Sequence, residues 1–486
     1  MSKFLFINLT STDDDSYTIG PLTLLTSLKS AGHDCDFYDN IIHSNTRLGS
    51  ALYFEDNLDK DLELHELPDN LQNIFADIAK VITPETKMIG FCVLFSNFHA
   101  AMFFSKALKA LYPNVLNIFG GPLFFFPEHF GLNNMEKRPY IDSYVKGKAE
   151  ETVQEIFKAD FDFTNLKNLK GLCFRDNTDS WHIDATINQF TEFTPISYEN
   201  SANVGYVNTS FSVGCPYKCT FCTQDDYYKD YILAPVEKCM EILTPLKNKF
   251  VYVTDALINA NHIWLKNLCQ KMIDDELNIK WGSWFRVAGQ LKNKDYLELL
   301  YDSGCRKINF GFESASGPVL KHMMKYSNEQ GIYQIFNNIR QLIKEGKPMQ
   351  VGINVLIGYP NETEEDFLKT CKFILFNQDI INFVNSCNLV SIAPHGRLHK
   401  ILQKNNEINL IDGENWATAQ SNPAIRFKRL EHLQALLKKI KLESSSYHTA
   451  EKLRNSPPET WATFTPTPPE LLIPANETKG LDFIAS

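Results

Sequence analysis

The chain has no run of eighteen apolar residues, so no part of it predicts a membrane-spanning helix. Its opening, Met1-Ser2-Lys3-Phe4-Leu5-Phe6-Ile7-Asn8, turns polar too early for a signal peptide and reads as a first strand. Basic residues are in deficit, 48 Lys and Arg against 58 Asp and Glu, for a net charge of −10. Nor do the cations cluster, which argues against a general nucleic-acid binder. The 11 cysteines are odd in number and lack the spacing of a disulfide framework. Free thiols without a leader place the protein, by expectation, in a reducing cytoplasm. Apolar residues make up 44% of 486, ample for large cores. That length predicts roughly two to four domains.

What the chain does contain is a compact thiol triad. Cys215, Cys219 and Cys222 lie in Gly214-Cys215-Pro216-Tyr217-Lys218-Cys219-Thr220-Phe221-Cys222, a C-x3-C-x2-C spacing. Thiolates this close converge on one soft metal centre yet leave it a ligand short. Iron–sulfur cubanes normally take four cysteines. Held by three, a cubane keeps one iron open and becomes a reagent. The plainer alternative is a zinc knuckle completed by histidine. The nearest histidines, His182 and His262, are far along the chain, and no second CxxC supplies a close pair. The other eight cysteines sit in apolar surroundings and read as core residues.

Strands and helices alternate over 1–160, with strands at 4–9, 35–38, 88–95, 115–119 and 143–145 and helices at 21–31, 100–111 and 150–157. This predicts a doubly wound parallel sheet, with 40–85 as an insertion carrying its own helix. Two extended runs, 171–175 and 181–185, flank a polar turn, so 161–204 reads as a hairpin linker. From 205 the alternation resumes, with strands at 207–212, 250–254, 279–285, 307–312, 351–357 and 384–392. Helices fall at 235–248, 262–275, 293–303, 328–345 and 364–377. Six such steps over 205–400 predict a partial, open (β/α) barrel. In parallel barrels the loops after the strands carry the chemistry, and the cysteines follow the first strand. The remainder, 401–486, holds one helix at 424–442 and a Pro-rich tail. The expected class is α/β: a doubly wound sheet, a partial six-stranded barrel, and a short helical and Pro-rich C-terminal region.

The cysteine loop resembles the cluster motif of the radical S-adenosylmethionine (SAM) superfamily. Further pieces are similar in order and spacing: Val251-Tyr252-Val253-Thr254-Asp255, Trp284-Phe285-Arg286, the segment 309–316 with Leu320 and Lys325, and Gly358-Tyr359-Pro360-Asn361-Glu362-Thr363. The resemblance implies a 4Fe-4S cluster on Cys215, Cys219 and Cys222, with SAM on the open iron. One electron then yields a 5′-deoxyadenosyl radical. It also implies SAM contacts from Phe221, Asp255, Arg286, Glu313 and Ser314, and an electron donor such as flavodoxin or ferredoxin.

Residues 1–160 resemble the cobalamin-binding domain often found ahead of this barrel, through Ile19-Gly20-Pro21-Leu22, Leu94-Phe95-Ser96-Asn97, Gly120-Gly121-Pro122 and the segment 145–152. The implied cofactor is cobalamin, with Ser96, Asn97, Gly120, Gly121 and Gly147 at its face. No Asp-x-His-x-x-Gly is present, so no histidine ligates cobalt from below. Gly147-Lys148-Ala149-Glu150 stands for the usual Gly-Glu-Gly-Glu, and Ala393-Pro394-His395-Gly396-Arg397 for Pro-x-Pro-Gly-Thr. The implied enzyme is a cobalamin-dependent radical SAM methyltransferase acting on an unactivated carbon of a small-molecule or lipid-like substrate. The alternative is a rearrangement, dehydration or cyclisation with cobalamin passive or absent.

Each assignment has a plainer counterpart. Glu313 and Arg286 could be a barrel salt bridge, and Asp255 a helix cap beside Asn259 and Asn261. Ser96, Gly120 and Gly121 could be a tight strand-to-helix turn. His395 and His399 follow the last barrel strand, as general-base candidates or surface histidines. Phe124, Phe125 and Phe126 read as an ordinary hydrophobic contact.

Overall fold

The computed structural model describes residues 3–9, 19–40, 43, 46, 48, 53–54, 57, 60, 64–125, 135–190, 192–196, 198, 206–325, 328–393, 396–411 and 413–444. Phe126, His395 and the Pro-rich tail lie outside these. The chain divides into two compact units, Met1–Ser210 and Phe211–Ser486. No helix among the described residues is long and apolar enough to cross a membrane.

The first unit is built on β1 (Lys3–Asn8), β2 (Cys35–Asp39), β3 (Thr86–Cys92), β4 (Leu116–Gly120), β5 (Ser143–Val145), β6 (Leu172–Arg175) and β7 (Trp181–His182), in the order β2-β1-β3-β4-β5-β6-β7. The first five are parallel. Side chains alternate between faces along a strand, and β1 shows what that does. Phe4 and Phe6 join Leu24, Leu28, Val153 and Ile156 in one core, while Leu5 and Ile7 join Ile74, Phe75, Ile78 and Phe104 in the other. Helices Ile19–Ser30 and Glu150–Lys158 therefore cover one face, and Asp69–Val81 and Phe98–Leu111 the other. Phe75 stacks on Phe104 at 4.4 Å, and burying each such ring contributes about 2–3 kcal/mol.

The hairpin expected as a linker instead extends this sheet. β6 pairs antiparallel with β5, and β7 with β6. The physical reason is burial: Leu172, Cys173 and Phe174 are fully enclosed by the two cores.

The second sheet has the order β18-β15-β14-β13-β12-β11-β8. Its strands are β8 (Tyr206–Thr209), β11 (Phe250–Val253), β12 (Lys280–Arg286), β13 (Cys305–Glu313), β14 (Gln350–Ile357), β15 (Ile381–Leu389) and the short edge strand β18 (Glu443–Ser444). From β11 to β18 the pairing is parallel. Two small hairpins, β9 (Ser212–Val213) with β10 (Ile232–Leu233) and β16 (Asn409–Leu410) with β17 (Trp416–Ala417), lie beside it. The helices His262–Asp274, Lys294–Asp302, Glu329–Lys344 and Glu364–Phe376 begin at side-chain caps. Asn261, Asn293, Asn328 and Thr363 each accept an N–H of the first turn, which satisfies donors the helix cannot.

Candidate active site

The strand expected at 207–212 breaks after Thr209. Asp255, just beyond β11 and 2% exposed, accepts the Phe211 and Ser212 N–H groups at 2.7 and 3.0 Å. Its carboxylate shapes the entry to the cysteine loop. The cap of the following helix is Asn261.

All three thiols of the loop are half-buried. Thr220, at the centre, is pinned by its N–H to the Met323 carbonyl at 3.2 Å. Its hydroxyl meets that of Tyr359 at 2.6 Å and donates to the His322 carbonyl at 3.1 Å. Arg397 clamps the loop from the helix Arg397–Lys404, donating to the Lys218 carbonyl at 3.1 Å and to the Asp225 carboxylate.

Arg286 ends β12 and is 5% exposed. Its guanidinium donates to Cys219 Sγ at 3.6 Å and to the carbonyls of Met324 and Lys325, and lies 4.1 Å over the Tyr217 ring. Asn259 brackets the Arg286 backbone with two hydrogen bonds of 2.8 and 2.9 Å. At Cys215 the nearby Arg286 cation favours the thiolate. Burial acts the other way, raising the Cys215 thiol and pushing Cys222 up to about 11. Metal loading must therefore expel protons.

Glu313 ends β13 in a left-handed conformation, φ 67°, where a non-glycine residue is strained. Its carboxylate accepts from Lys325 Nζ at 3.0 Å, and Lys325 also donates to the Gly311 carbonyl at 2.6 Å. The buried ion pair is thus Glu313 with Lys325; Arg286 takes carbonyls and sulfur. Lys325 lies 5.8 Å from the Phe221 ring. Ser314 turns into the packing, 3.2 Å from the Thr370 hydroxyl. The fold thus brings Phe221, Arg286 and Glu313 together with the cysteines, places Asp255 beneath the loop, and directs Ser314 away. Tyr217, Thr220 and Tyr359 were not singled out from sequence. Arg397 entered the sequence reading only as part of a departure from the family pattern.

Among the described residues no three His, Cys, Asp or Glu side chains stand close enough to share one metal ion. A cubane attaches each thiolate to a different iron and accepts a wider spread.

In the first unit the expected cofactor residues follow β3, β4 and β5. Asn97 is a brace: it accepts the Leu94 N–H at 2.8 Å and donates to the carbonyls of Leu9 and Cys92, both at 3.0 Å. Gly121, φ 99°, lies where a Cβ would come within 2.6 Å of the Val93 carbonyl, and at Gly147, φ 92°, within 2.1 Å of that of Asn188. Chain packing alone requires glycine at both. Gly120 differs, because a Cβ there would meet no atom within 4 Å, and Ser96 is exposed. These two leave open surface at the C-terminal edge, where doubly wound sheets take their ligands.

Thiol loop, parallel curved sheet and charged strand ends together define a radical SAM domain, and residues 209–374 match the Radical SAM superfamily model. The match places a radical SAM domain at residues 209–374. It is 25% identical over 384 residues to an uncharacterized methyltransferase of Pyrococcus horikoshii, covering 75% of this chain and 80% of that one. It is 26% identical over 287 residues to an anaerobic magnesium-protoporphyrin IX monomethyl ester cyclase of Cereibacter sphaeroides, covering 54% of this chain and 45% of the cyclase. Its fold is similar to that of the radical SAM methyltransferase TsrM of Kitasatospora setae, solved with cobalamin and a 4Fe-4S cluster. There the TM-score is 0.59 at 13% identity, over 84% of this chain and 77% of TsrM. The cobalamin-dependent SAM radical enzyme OxsB gives 0.64 at 16% identity, over 91% of this chain and 67% of OxsB.

Proposed function

We propose that the chain is a cobalamin-dependent radical SAM enzyme that methylates an unactivated carbon. The observation that supports this most is the cysteine loop itself: three half-buried thiols, anchored by Thr220 and Arg397 and faced by the Arg286 cation. Cys215, Cys219 and Cys222 would hold the cluster. Arg286 and Lys325 offer positive charge to a carboxylate, Glu313 an acceptor to an amine or hydroxyls, and Phe221 a ring face to a base. Gly120 and Ser96 would face the corrinoid, with Asn97 holding their loops. When bound, the cluster supplies the electron that cleaves SAM to a 5′-deoxyadenosyl radical, and the corrinoid carries the methyl group. The protein's own part is to bind and orient these groups and exclude water. A flavodoxin or ferredoxin as electron donor belongs to the same reading.

The similarity to the cyclase favours a second reading, a radical cyclisation or rearrangement with the corrinoid passive. The products separate the two. Anaerobically reconstituted enzyme with SAM, reductant and substrate should form both 5′-deoxyadenosine and S-adenosylhomocysteine if it methylates, and only the former if it cyclises. Cys219→Ala should abolish SAM cleavage. Cleavage that persists in this variant would remove the cluster from the account.

A further inference from the structure

Lysine is seldom buried without a partner, because its ammonium then loses water contacts without compensation. Lys146 follows β5 directly and is 8% exposed. Its backbone is fixed on both sides: the N–H donates to the Gly171 carbonyl at 2.8 Å, and the carbonyl accepts the Asn188 N–H at 2.9 Å. The ammonium makes neither a hydrogen bond nor an ion pair with any described residue, and it is not sealed from solvent. Lys148 is the contrast. It is 6% exposed, and the carboxylates of Glu192 and Glu151 stand 3.6 and 3.9 Å from its ammonium. The Asp184 carboxylate is taken by the N–H groups of Gly171 and Thr186.

Strand register places the free cation. Phe119 of β4 pairs with Tyr144 of β5. Two residues on, Gly121 and Lys146 stand level on neighbouring strands, about 5 Å apart. Tyr144 belongs to the core beneath helices Asp69–Val81 and Phe98–Leu111, and alternation returns Lys146 to that face. Leu123 and Phe124, from the turn after Gly121, enter the same core. Burial raises the thiol of Cys173, which lies there too, and the Lys146 charge acts against that rise. Lys146 thus stands beside the Gly120–Gly121 turn, where a Cβ on Gly120 would meet no atom within 4 Å. A four-carbon stem is long enough to carry the ammonium to that open surface.

We propose that Lys146 binds the phosphate of the corrinoid's nucleotide tail. A buried cation without a partner, at the open edge of the sheet, calls for an anion. The phosphodiester is the one anionic group on the periphery of cobalamin, whose other side arms are neutral amides. The inference rests on the corrinoid reading of the first unit and adds the residue that recognises the charge.

Titrating the full chain with cobinamide, cobinamide phosphate and cobalamin tests it, with bound corrinoid measured by absorbance after equilibrium dialysis. Cobinamide has the ring and its amides without the phosphate; cobinamide phosphate adds the phosphate without the base. Wild type should bind cobinamide phosphate about ten-fold tighter than cobinamide, the factor of one charge-assisted hydrogen bond. Lys146→Met keeps the apolar stem. It should lose that factor for both phosphate-bearing ligands and bind cobinamide unchanged, which also shows that the variant is folded. Lys146→Arg should restore it. Equal weakening of all three ligands in Lys146→Met would mean a contact to the ring, and no weakening would mean that the ammonium meets only water. Either result overturns the proposal and leaves the corrinoid reading intact. If wild type binds none of the three, both fall.

Discussion

Replacing Arg429 with Ala should loosen the segment that supports the cysteine loop. Arg429 lies on the helix Pro423–Lys439 with its side chain 3% exposed. It donates to Glu362 Oε2 at 3.1 Å, to the Glu362 carbonyl at 3.2 Å and to Glu364 Oε2 at 3.1 Å. Glu362, 1% exposed, also accepts the Gly358 N–H at 2.7 Å. Between Gly358 and Glu362 lies Tyr359, the partner of Thr220. Removing the cation strands a buried carboxylate, at a cost of about 3–5 kcal/mol. Burial already outweighs Arg429 and pushes the Glu362 carboxyl from 4.5 up to about 7.

The sign follows from that rise. The folded chain binds more protons between the two values, so stability falls as pH rises from about 4.5 to about 7 and levels off above. The full change is about 3 kcal/mol, at 1.36 kcal/mol per unit. In Arg429→Ala the decline should extend to higher pH, because the remaining carboxyl is harder still to ionise. Glu362→Gln should remove this slope. Urea unfolding of the three proteins from about pH 5 to about pH 8 reads all of this. A Glu362→Gln slope equal to that of wild type, or a loss in Arg429→Ala below about 1 kcal/mol at the alkaline end, would refute the reasoning.

Two further outcomes are expected. Arg286→Gln removes a positive charge next to Cys219 and should lower the cluster midpoint potential by roughly 100 mV. A unit charge about 6 Å away is worth roughly 2–3 kcal/mol at an effective dielectric of 20, and 1.4 kcal/mol is about 59 mV for one electron. Arg286→Lys should keep most of the potential; an unchanged midpoint in the glutamine variant, by a titration followed through electron spin resonance, would count against the charge effect. Gly120→Val fills open space, so stability should stay within about 0.5 kcal/mol while corrinoid absorbance is lost. Corrinoid bound at full occupancy in this variant would remove Gly120 from the cofactor face.

Features carried by neighbouring residues were legible in the chain. The thiol spacing, the strand and helix alternation, and the cap at Asn261 all depend on local backbone periodicity and short-range hydrogen bonds. Helices expected at 262–275, 293–303, 328–345 and 364–377 fall within a residue of those observed at each end. The last barrel strand was displaced, expected at 384–392 and found at Ile381–Leu389. Asn382, Asn385, Ser386 and Asn388 hid it, because a strand interrupted by polar residues does not read as an apolar run. The helix Arg397–Lys404 was not anticipated, since a short amphipathic segment after a turn carries little signal.

The amino-acid order by itself determined that three thiols share one loop and that this loop follows a strand, because both are matters of adjacency. Only the folded structure decided which charges meet the loop. Arg397 reaches a carbonyl 179 residues earlier in the chain and Tyr359 a hydroxyl 139 residues earlier. Lys325, and not Arg286, became the partner of Glu313. Such pairings depend on the register of parallel strands and on which side chains the closed core leaves room for, and neither is written in the local sequence.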